Sequence, residues 1–296
     1  MSVGEWLDAT FTMYRRNFAL IASISAVVQI PYALLTLVLF EITGLGAFVR
    51  SPLSSFNGRT LTPEQAQTLL NSLWGALAVS VGLLIVSLLI VLPLGEAATT
   101  RAVSDRYLDN KSSLGAAYRA AWKRLPSLIA LILILVAAYV GLIAALVLVL
   151  ILLNAVGAGG AGGVIALLAF IALIPFVIIV AVRTVIAVPA IVLERTSGWG
   201  GLKRSWALVS GRFWPTFGRI LLLGLISGII SGVVSTVLEL PASSLDPGNT
   251  FVYDQVASAV AAVFIGPITY VGVTLLYYDA RIRKEGFDIE MLARSL

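Results

Sequence analysis

The sequence has 296 residues, of which 59% are hydrophobic and only 12% are charged, with a formal net charge of +5. Soluble domains carry about 25% charged residues, so this composition excludes an ordinary soluble domain and indicates a polytopic membrane protein. The chain contains neither cysteine nor histidine, which excludes disulfides, thiolate metal sites and the commonest general base at neutral pH. We therefore expect no metal, no cofactor and no catalytic residue. The basic residues flank apolar runs, which favours a role in topology over nucleic-acid binding.

The N-terminus predicts an amphipathic surface helix that leads into a first membrane span. Ser2 and Glu5 stand at the capping-box spacing that begins a helix. One helical side is apolar and is formed by Val3, Leu7, Phe11, Tyr14 and Phe18. The other side is polar and is formed by Glu5, Asp8, Thr12, Arg15 and Arg16. The charge-free run over residues 18–40 is long enough to cross a bilayer, and Pro31 inside it predicts a kink.

The middle of the chain predicts three further spans and a second amphipathic helix. A polar loop over residues 41–72 precedes the second span, at about residues 73–94. Residues 96–124 are charged with a helical pattern, and Ser112 or Ser113 is expected to cap the surface helix that runs directly into the third span. That span covers about residues 125–153, and the glycine-rich turn 157–163 separates it from the fourth span, at about 164–182.

The stretch 194–214 predicts another surface helix, which feeds the fifth span at about residues 220–238. Its apolar face is formed by Leu202, Trp206, Val209 and Phe213, and its polar face by Lys203, Arg204, Ser210 and Arg212. Such a helix is typical of a membrane surface. Within the fifth span, Gly224, Gly228 and Gly232 recur every four residues, which predicts close helix packing. A loop at 240–254 precedes the sixth span, at about 255–276, and Asp288 is expected to cap a last short helix.

The distribution of basic residues predicts the orientation of the chain. With six spans, only Arg50 and Arg59 of the 20 lysines and arginines fall on one side, so both termini are expected to be cytoplasmic. The predicted fold is a single all-α domain over residues 1–296. Its six transmembrane helices form three helical-hairpin repeats, each preceded by a cytoplasmic amphipathic interfacial helix. The repeats cover roughly residues 1–110, 111–195 and 196–296.

Three strings of sequence carry a family resemblance that extends over nearly the whole chain. They are SVGEWLDATFTMYRRNF at 2–18, VPAIVLERTSGWGGLKRSWALVSGRFW at 188–214 and LLYYDARIRKEGFD at 275–288. They resemble the glycerophosphoryl diester phosphodiesterase membrane-domain family of bacteria and archaea. The resemblance implies a multi-pass protein of a prokaryotic inner membrane, here as a stand-alone membrane domain without the phosphodiesterase that some members carry. The phosphodiesterase chemistry needs histidines, so the resemblance implies no such activity for this chain.

Charges at the inner ends of the fourth and sixth spans form the candidate site. An unpaired charge in a low dielectric costs on the order of several kcal/mol, so such groups tend to pair. We predict that Arg183 and Asp279, with Glu194 and Arg204, converge as an ion-pair network, with Arg281 at the same depth. A cluster of this kind would be the first place for a headgroup phosphate. The alternative is that each side chain snorkels separately to water.

The sequence leaves three functions open. The cationic surface helices favour a non-enzymatic membrane scaffold or a protein that interacts with anionic lipid headgroups, because each nearby Lys or Arg contributes about 1 kcal/mol. A secondary transporter or lipid flippase is the alternative, favoured by the repeats and by prolines within spans. Against transport, Glu96, Arg183 and Glu239 are expected near span ends, where snorkelling suffices.

A membrane enzyme is the third alternative, in which Asp105, Asp279 and Glu194 would bind a cation beside a phosphate. Nothing in the spacing of these three carboxylates requires that chemistry. Membrane lipids are the expected partners, and the sequence leaves a protein partner and the oligomeric state open.

Overall fold

The computed structural model describes residues 1–43, 62–155, 159–240 and 247–286. Within these ranges the chain is entirely helical, with no strand. The first helices are α1 (Val3–Arg16), α2 (Phe18–Ile42), α3 (Pro63–Val86), a π-helical turn (Ser87–Val91), α4 (Leu92–Tyr107) and α5 (Leu114–Ala155). They are followed by α6 (Gly159–Thr184), α7 (Ala187–Leu193), α8 (Gly198–Val209), α9 (Phe213–Glu239), α10 (Pro247–Phe264) and α11 (Gly266–Glu285). The predicted helix beginning at Asp288 lies outside the described residues.

Six long apolar helical segments confirm the prediction of an all-helical protein with six candidate membrane spans. Their bounds are Phe18–Ile42, Leu73–Tyr107, Leu114–Leu153, Gly163–Leu193, Phe213–Glu239 and Phe251–Glu285. Each exceeds the length of about 20 residues that crosses a bilayer as a helix. The third is the longest, because the charged start of α5 continues into the apolar part without a break.

The N-terminal helix begins as its sequence predicts. The Glu5 backbone N–H donates to Ser2 Oγ at 3.2 Å, and the Ser2 N–H donates to Glu5 Oε2 at 2.7 Å. The hydrogen bond from the Ser2 backbone lowers the pKa of Glu5 from its ordinary value. The buried face of α1 consists of Trp6, Thr10 and Tyr14, and Trp6 Nε1 donates to the Gly272 carbonyl of α11 at 3.1 Å. Of the face that we expected to meet lipid, Tyr14 is buried by protein, whereas Val3 and Phe18 remain exposed.

The buried face of α8 also differs from the prediction. Gly198, Gly201, Ser205, Leu208 and Val209 are buried, whereas Trp206 remains 41% exposed. The chain packs the small residues of α8 against its neighbours and leaves the tryptophan outward. The helix is amphipathic, but its predicted apolar face and its buried face are rotated relative to each other.

Three of the long segments are interrupted, namely the second, the fourth and the sixth. Each of them is the second span of a predicted hairpin. Before Pro93, a π-helical turn covers Ser87–Val91, and the Leu92 N–H donates to the Ser87 carbonyl five residues back. The pair α6 and α7 is interrupted before Ala187, and α10 and α11 are interrupted at Ile265. Proline lacks the N–H that continues the helical ladder, which explains the breaks before Pro93 and Pro267. Pro31 and Pro175, by contrast, lie inside continuous helices.

The protein core lies at one end of the bundle. Buried residues are concentrated in α1, α4, α7, α8 and α11, and include Trp6, Ala98, Ile191, Leu208 and Tyr277. In the most apolar stretches of α5 and α6, none of the described residues is buried within the chain. We call the packed end, formed by α1, α7, α8 and the C-terminal parts of α4 and α11, the charged end. Lipid would cover the opposite lengths of the helices.

The glycine prediction for the fifth span is wrong for the described chain. Gly224, Gly228 and Gly232 are exposed, and a Cβ added at any of them would meet no atom within 4 Å. Gly228 instead lines an open groove of about 410 Å³ between α9 and α10, together with Ser227 and Ser231. Close approach occurs at other glycines, among them Gly198 and Gly272.

Candidate functional site

Two ion-pair clusters lie at the charged end, and Glu194 is the centre of the first. Arg204 Nε lies 2.8 Å from both carboxylate oxygens of Glu194, and Tyr277 Oη donates to Glu194 Oε1 at 2.8 Å. Arg281 Nε stands 4.0 Å from the same oxygen. The cluster continues to Glu285, whose oxygens lie 2.5 Å and 2.8 Å from the two terminal nitrogens of Arg204. Two arginines thus face two carboxylates.

These contacts join three helices through one arginine. Arg204 belongs to α8, Glu194 caps the end of α7, and Glu285 ends α11. Burial opposes the charge of Arg204, but its hydrogen bonds to Glu285 and Glu194 raise its pKa above the ordinary value. The guanidinium is therefore fully charged and compensated.

The second cluster surrounds Asp279, which is almost fully buried. Arg219 Nη1 of α9 donates to Asp279 Oδ2 at 2.7 Å, and Arg283 Nε donates to Oδ1 at 3.0 Å. The Met1 amino group lies 2.8 Å from Oδ1. The Met1 carbonyl accepts from Arg219 at 2.6 Å and from Arg283 at 3.0 Å. Asp279 thereby connects α9, α11 and the start of the chain.

Arg183 does not join either cluster, contrary to our prediction. Its guanidinium carbon lies 4.6 Å from the centre of the Trp206 ring, and its carbonyl accepts from Ser205 Oγ at 2.7 Å. Among the described residues, Arg183 Nε is buried without a hydrogen-bond partner. A cation over an indole face is stabilised without a counter-ion. The structure brings Glu194, Arg204 and Arg281 together, places Asp279 in a separate cluster, and leaves Arg183 with the tryptophan.

The two clusters are suited to holding helices in place. Nearly every charge in them has an opposite charge or a carbonyl within hydrogen-bond distance. Removing one partner from a buried pair leaves an uncompensated charge, which is strongly destabilising. Such a compensated network leaves little capacity for a phosphate. Among the described residues, no group of three acidic side chains could hold a metal ion.

A basic cavity elsewhere at the charged end has the opposite electrostatic character. It measures about 450 Å³, and the described residues that line it include five cationic side chains and a single carboxylate. The cationic residues are Arg101, Arg119, Lys123, Arg124 and Arg195. We call this cavity the basic pocket. Its one carboxylate, Asp105, is already paired with Arg101 Nη2 at 2.8 Å.

Three of the cationic side chains in the basic pocket have no partner among the described residues. Within the described part of the chain, the side chains of Arg119, Lys123 and Arg195 make no hydrogen bond or ion pair. Arg195 has a positive φ of 57°, a left-handed conformation that costs a non-glycine residue about 1–2 kcal/mol. The cost is incurred just after Glu194 caps α7, where the chain turns and Arg124 Nη1 donates to the Arg195 carbonyl at 3.3 Å.

Sequence reasoning missed this arrangement although its components were visible. Arg119 and Lys123 are four residues apart, as are Arg101 and Asp105, so each pair shares a helical face. The missing information was that α4, α5 and the turn after α7 meet. Arg219 was missed for the same reason, because its partner Asp279 lies 60 residues away.

One comparison with known proteins identifies a family. Residues 1–280 match the sequence model described as Domain of unknown function (DUF7847). No curated protein and no solved structure matches the chain.

Proposed function

The chain belongs to the DUF7847 family, and we propose that it is a non-enzymatic integral membrane protein that binds anionic lipid headgroups in the basic pocket. The pocket carries the proposal because its cationic side chains exceed its carboxylates by four. Topology alone requires only that basic residues lie on one side of the membrane, and it does not require that five of them meet. Both chain termini and the pocket would face the cytoplasm of a prokaryotic cell.

The three cations without a partner among the described residues determine how strongly the pocket should prefer an anionic lipid over a zwitterionic one. Each Lys or Arg near an anionic headgroup contributes about 1 kcal/mol. Arg119, Lys123 and Arg195 would together contribute about 3 kcal/mol, which corresponds to a preference of about 100-fold for an anionic lipid over a zwitterionic one. The resemblance to the glycerophosphoryl diester phosphodiesterase membrane-domain family stays a prediction.

The test compares two triple variants that remove the same charge. The first is Arg119→Gln, Lys123→Gln and Arg195→Gln in the basic pocket. The matched control removes three exposed cations elsewhere, as Arg15→Gln, Lys203→Gln and Arg212→Gln. Native mass spectrometry of the detergent-solubilised full chain measures binding of phosphatidylglycerol against phosphatidylcholine with identical acyl chains.

We expect the pocket variant to lose at least about 10-fold of the preference for phosphatidylglycerol, and the control to lose less than about 2-fold. Equal losses in the two variants would mean that general surface charge attracts the lipid, and the proposed site would then be wrong.

A second candidate function, transport or lipid flipping, is favoured by the three interrupted segments. Transporters use broken helices to line binding sites within the membrane. The π-helical turn, the break between α6 and α7, and the break between α10 and α11 are interruptions of this kind. An anionic lipid that binds without being moved across the bilayer supports the first function. Movement of a fluorescent lipid in proteoliposomes supports the second.

A further inference from the structure

A partly open cavity among the helices is lined by a carboxyl group that belongs to the second candidate membrane span. The cavity measures about 370 Å³ and is lined by 14 of the described residues, which come from the π-helical turn, from α4 to α7 and from α11. Ten of them are leucine, isoleucine, valine or proline, and the other four are Glu96, Tyr270, Thr184 and Thr269. We call it the Glu96 cavity. It shares no lining residue with the basic pocket, so substitutions can test the two sites separately.

Glu96 lies deeper in the membrane than the charges at the end of its helix. It precedes Arg101 by five residues on α4, which corresponds to about 7.5 Å along the helix axis. Arg101 pairs in the other direction, with Asp105. No hydrogen bond or ion pair joins Glu96 to any other described residue. Tyr270 is the other titratable group that lines the cavity, and the residues lining it from α5, α6 and α7 carry none.

An unpartnered carboxylate among apolar side chains requires a proton or a cation. Burying the charge alone costs on the order of several kcal/mol, and ionisable groups at this depth mark binding sites and ion pathways. Snorkelling of Glu96, which the sequence suggested, stays a prediction, and in the structure the side chain lines the cavity.

The chemistry of the lining selects an organic cation over an inorganic one. Sodium and calcium ions bind several oxygen ligands at once, and the described side chains that line the cavity offer one carboxyl and three hydroxyls, of which Thr184 Oγ1 already donates to the Val180 carbonyl at 2.9 Å. The ten apolar residues would remain unused by a bare ion. An organic ammonium or phosphonium would place its charge at Glu96 and its apolar groups against the leucines and valines. The Tyr270 ring offers a cation–π contact.

The interruptions of the helices give the cavity its shape. Leu88 lies in the π-helical turn, Val185 lies in the break between α6 and α7, and Thr269 follows the break at Ile265. Single π-turns inside α-helices occur frequently at functional sites. Three discontinuities from distant parts of the sequence therefore border one space that contains one acid. We propose that the Glu96 cavity is a binding site for a lipophilic organic cation.

Binding of tetraphenylphosphonium to the purified full chain tests the proposal. We expect saturable binding to the wild type, and a loss of at least about 10-fold in affinity for Glu96→Gln, which keeps the shape and removes the charge. Glu96→Asp keeps the carboxylate and should retain more affinity than Glu96→Gln. Glu239→Gln removes a carboxylate outside the cavity and should bind as the wild type does. Triphenylphosphine oxide, a neutral aromatic analogue, should bind at least about 10-fold more weakly than the cation.

A second measurement separates the site from a general loss of folding. Dicyclohexylcarbodiimide modifies carboxyl groups in apolar surroundings, and mass spectrometry of the peptide that contains Glu96 reports the adduct. We expect modification of Glu96 in the wild type and its suppression by tetraphenylphosphonium. Equal affinity of Glu96→Gln and wild type, equal binding of the neutral analogue, absent binding to the wild type, or modification unaffected by the cation would each overturn the proposal.

Discussion

Substituting Gly198 by alanine should destabilise the protein by more than the same substitution at any of the glycines Gly224, Gly228 and Gly232 of α9. Gly198 is the first residue of α8 and is buried against α5. A Cβ at this position would lie 2.6 Å from the Ser127 carbonyl oxygen and 2.7 Å from the Leu131 nitrogen. Both are backbone atoms of α5, so no side-chain rotation can relieve the overlap. The whole of α8 would have to move away from α5.

The magnitude follows from two opposing effects. Forcing extra volume into a packed site costs typically about 1–3 kcal/mol, and the upper part of that range applies when backbone must shift. Alanine recovers up to about 1 kcal/mol of helix propensity relative to glycine. The net loss is then about 2 kcal/mol, or about 3 °C in melting temperature for a chain of this length. Gly228→Ala is the matched control, because its Cβ would meet nothing within 4 Å.

Thermal unfolding in one detergent, followed by tryptophan fluorescence, measures both variants beside the wild type. We expect Gly198→Ala to melt clearly below the wild type and Gly228→Ala to melt at or slightly above it. Equal melting temperatures for the two variants would refute the assignment of the close helix crossing to α8 and α5. A lower melting temperature for Gly228→Ala alone would instead indicate that the glycines of α9 form a tight interface.

A double-mutant cycle on Arg219→Ala and Asp279→Ala should show coupling of at least about 1 kcal/mol, because both side chains are buried in one ion pair. The same cycle on Arg183→Ala and Asp279→Ala should be additive, and coupling there would contradict the position of Arg183 over Trp206. For topology, an impermeant thiol reagent added outside should label single cysteines at two sites beyond the described residues, namely Ser55→Cys and Ser244→Cys. It should leave Ser197→Cys unlabelled, and labelling of Ser197→Cys would reverse the orientation.

The sequence predicted where the helices lie along the chain, but it did not predict well which face of each helix packs against other helices. Helix α8 illustrates the reason. Its length, its amphipathic pattern and its position before the fifth span follow from local spacing. Which side it buries depends on the surroundings, and lipid is as apolar as a leucine-rich core. A hydrophobic face therefore does not distinguish membrane from protein. Trp206 remains exposed while Ser205, a poorer candidate by hydrophobicity, is fully buried.

The glycines also show that a local sequence pattern does not determine which residues pack closely against another helix. A repeat of glycine every four residues is a local pattern, whereas a close crossing depends on what lies opposite. Gly228 has the pattern and an open groove beside it. Gly198 has no such pattern, yet it meets the backbone of α5. The sequence allowed close approach at both positions, and only the tertiary arrangement required it at one of them.

For the charged side chains, the sequence indicated how far each lies from the end of a span, but it did not always indicate which residue each one pairs with. Glu194 and Arg204 are ten residues apart, so the pair was within reach of sequence reasoning. Arg219 and Asp279 are 60 residues apart, and nothing local joins them. Glu96 was judged by its distance from the end of the span, but its environment is a cavity formed by breaks in other helices. Sequence position could not predict those breaks or their convergence.

The location of the core explains why two separate cavities coexist in one bundle. Packing is dense at the charged end, where water is available and burying apolar surface stabilises the fold. Toward the lipid-covered lengths of α5 and α6, that driving force is absent, because apolar side chains gain little by leaving lipid for protein. The basic pocket lies on the dense side, and its Arg195 directly follows Glu194, whose ion pair with Arg204 fixes the end of α7. The Glu96 cavity is bordered by the interruptions of the helices, between the packed charged end and the lengths that lipid would cover. A cationic site for a charged headgroup and a largely apolar site with one carboxyl for an organic cation are what these two linings would each favour.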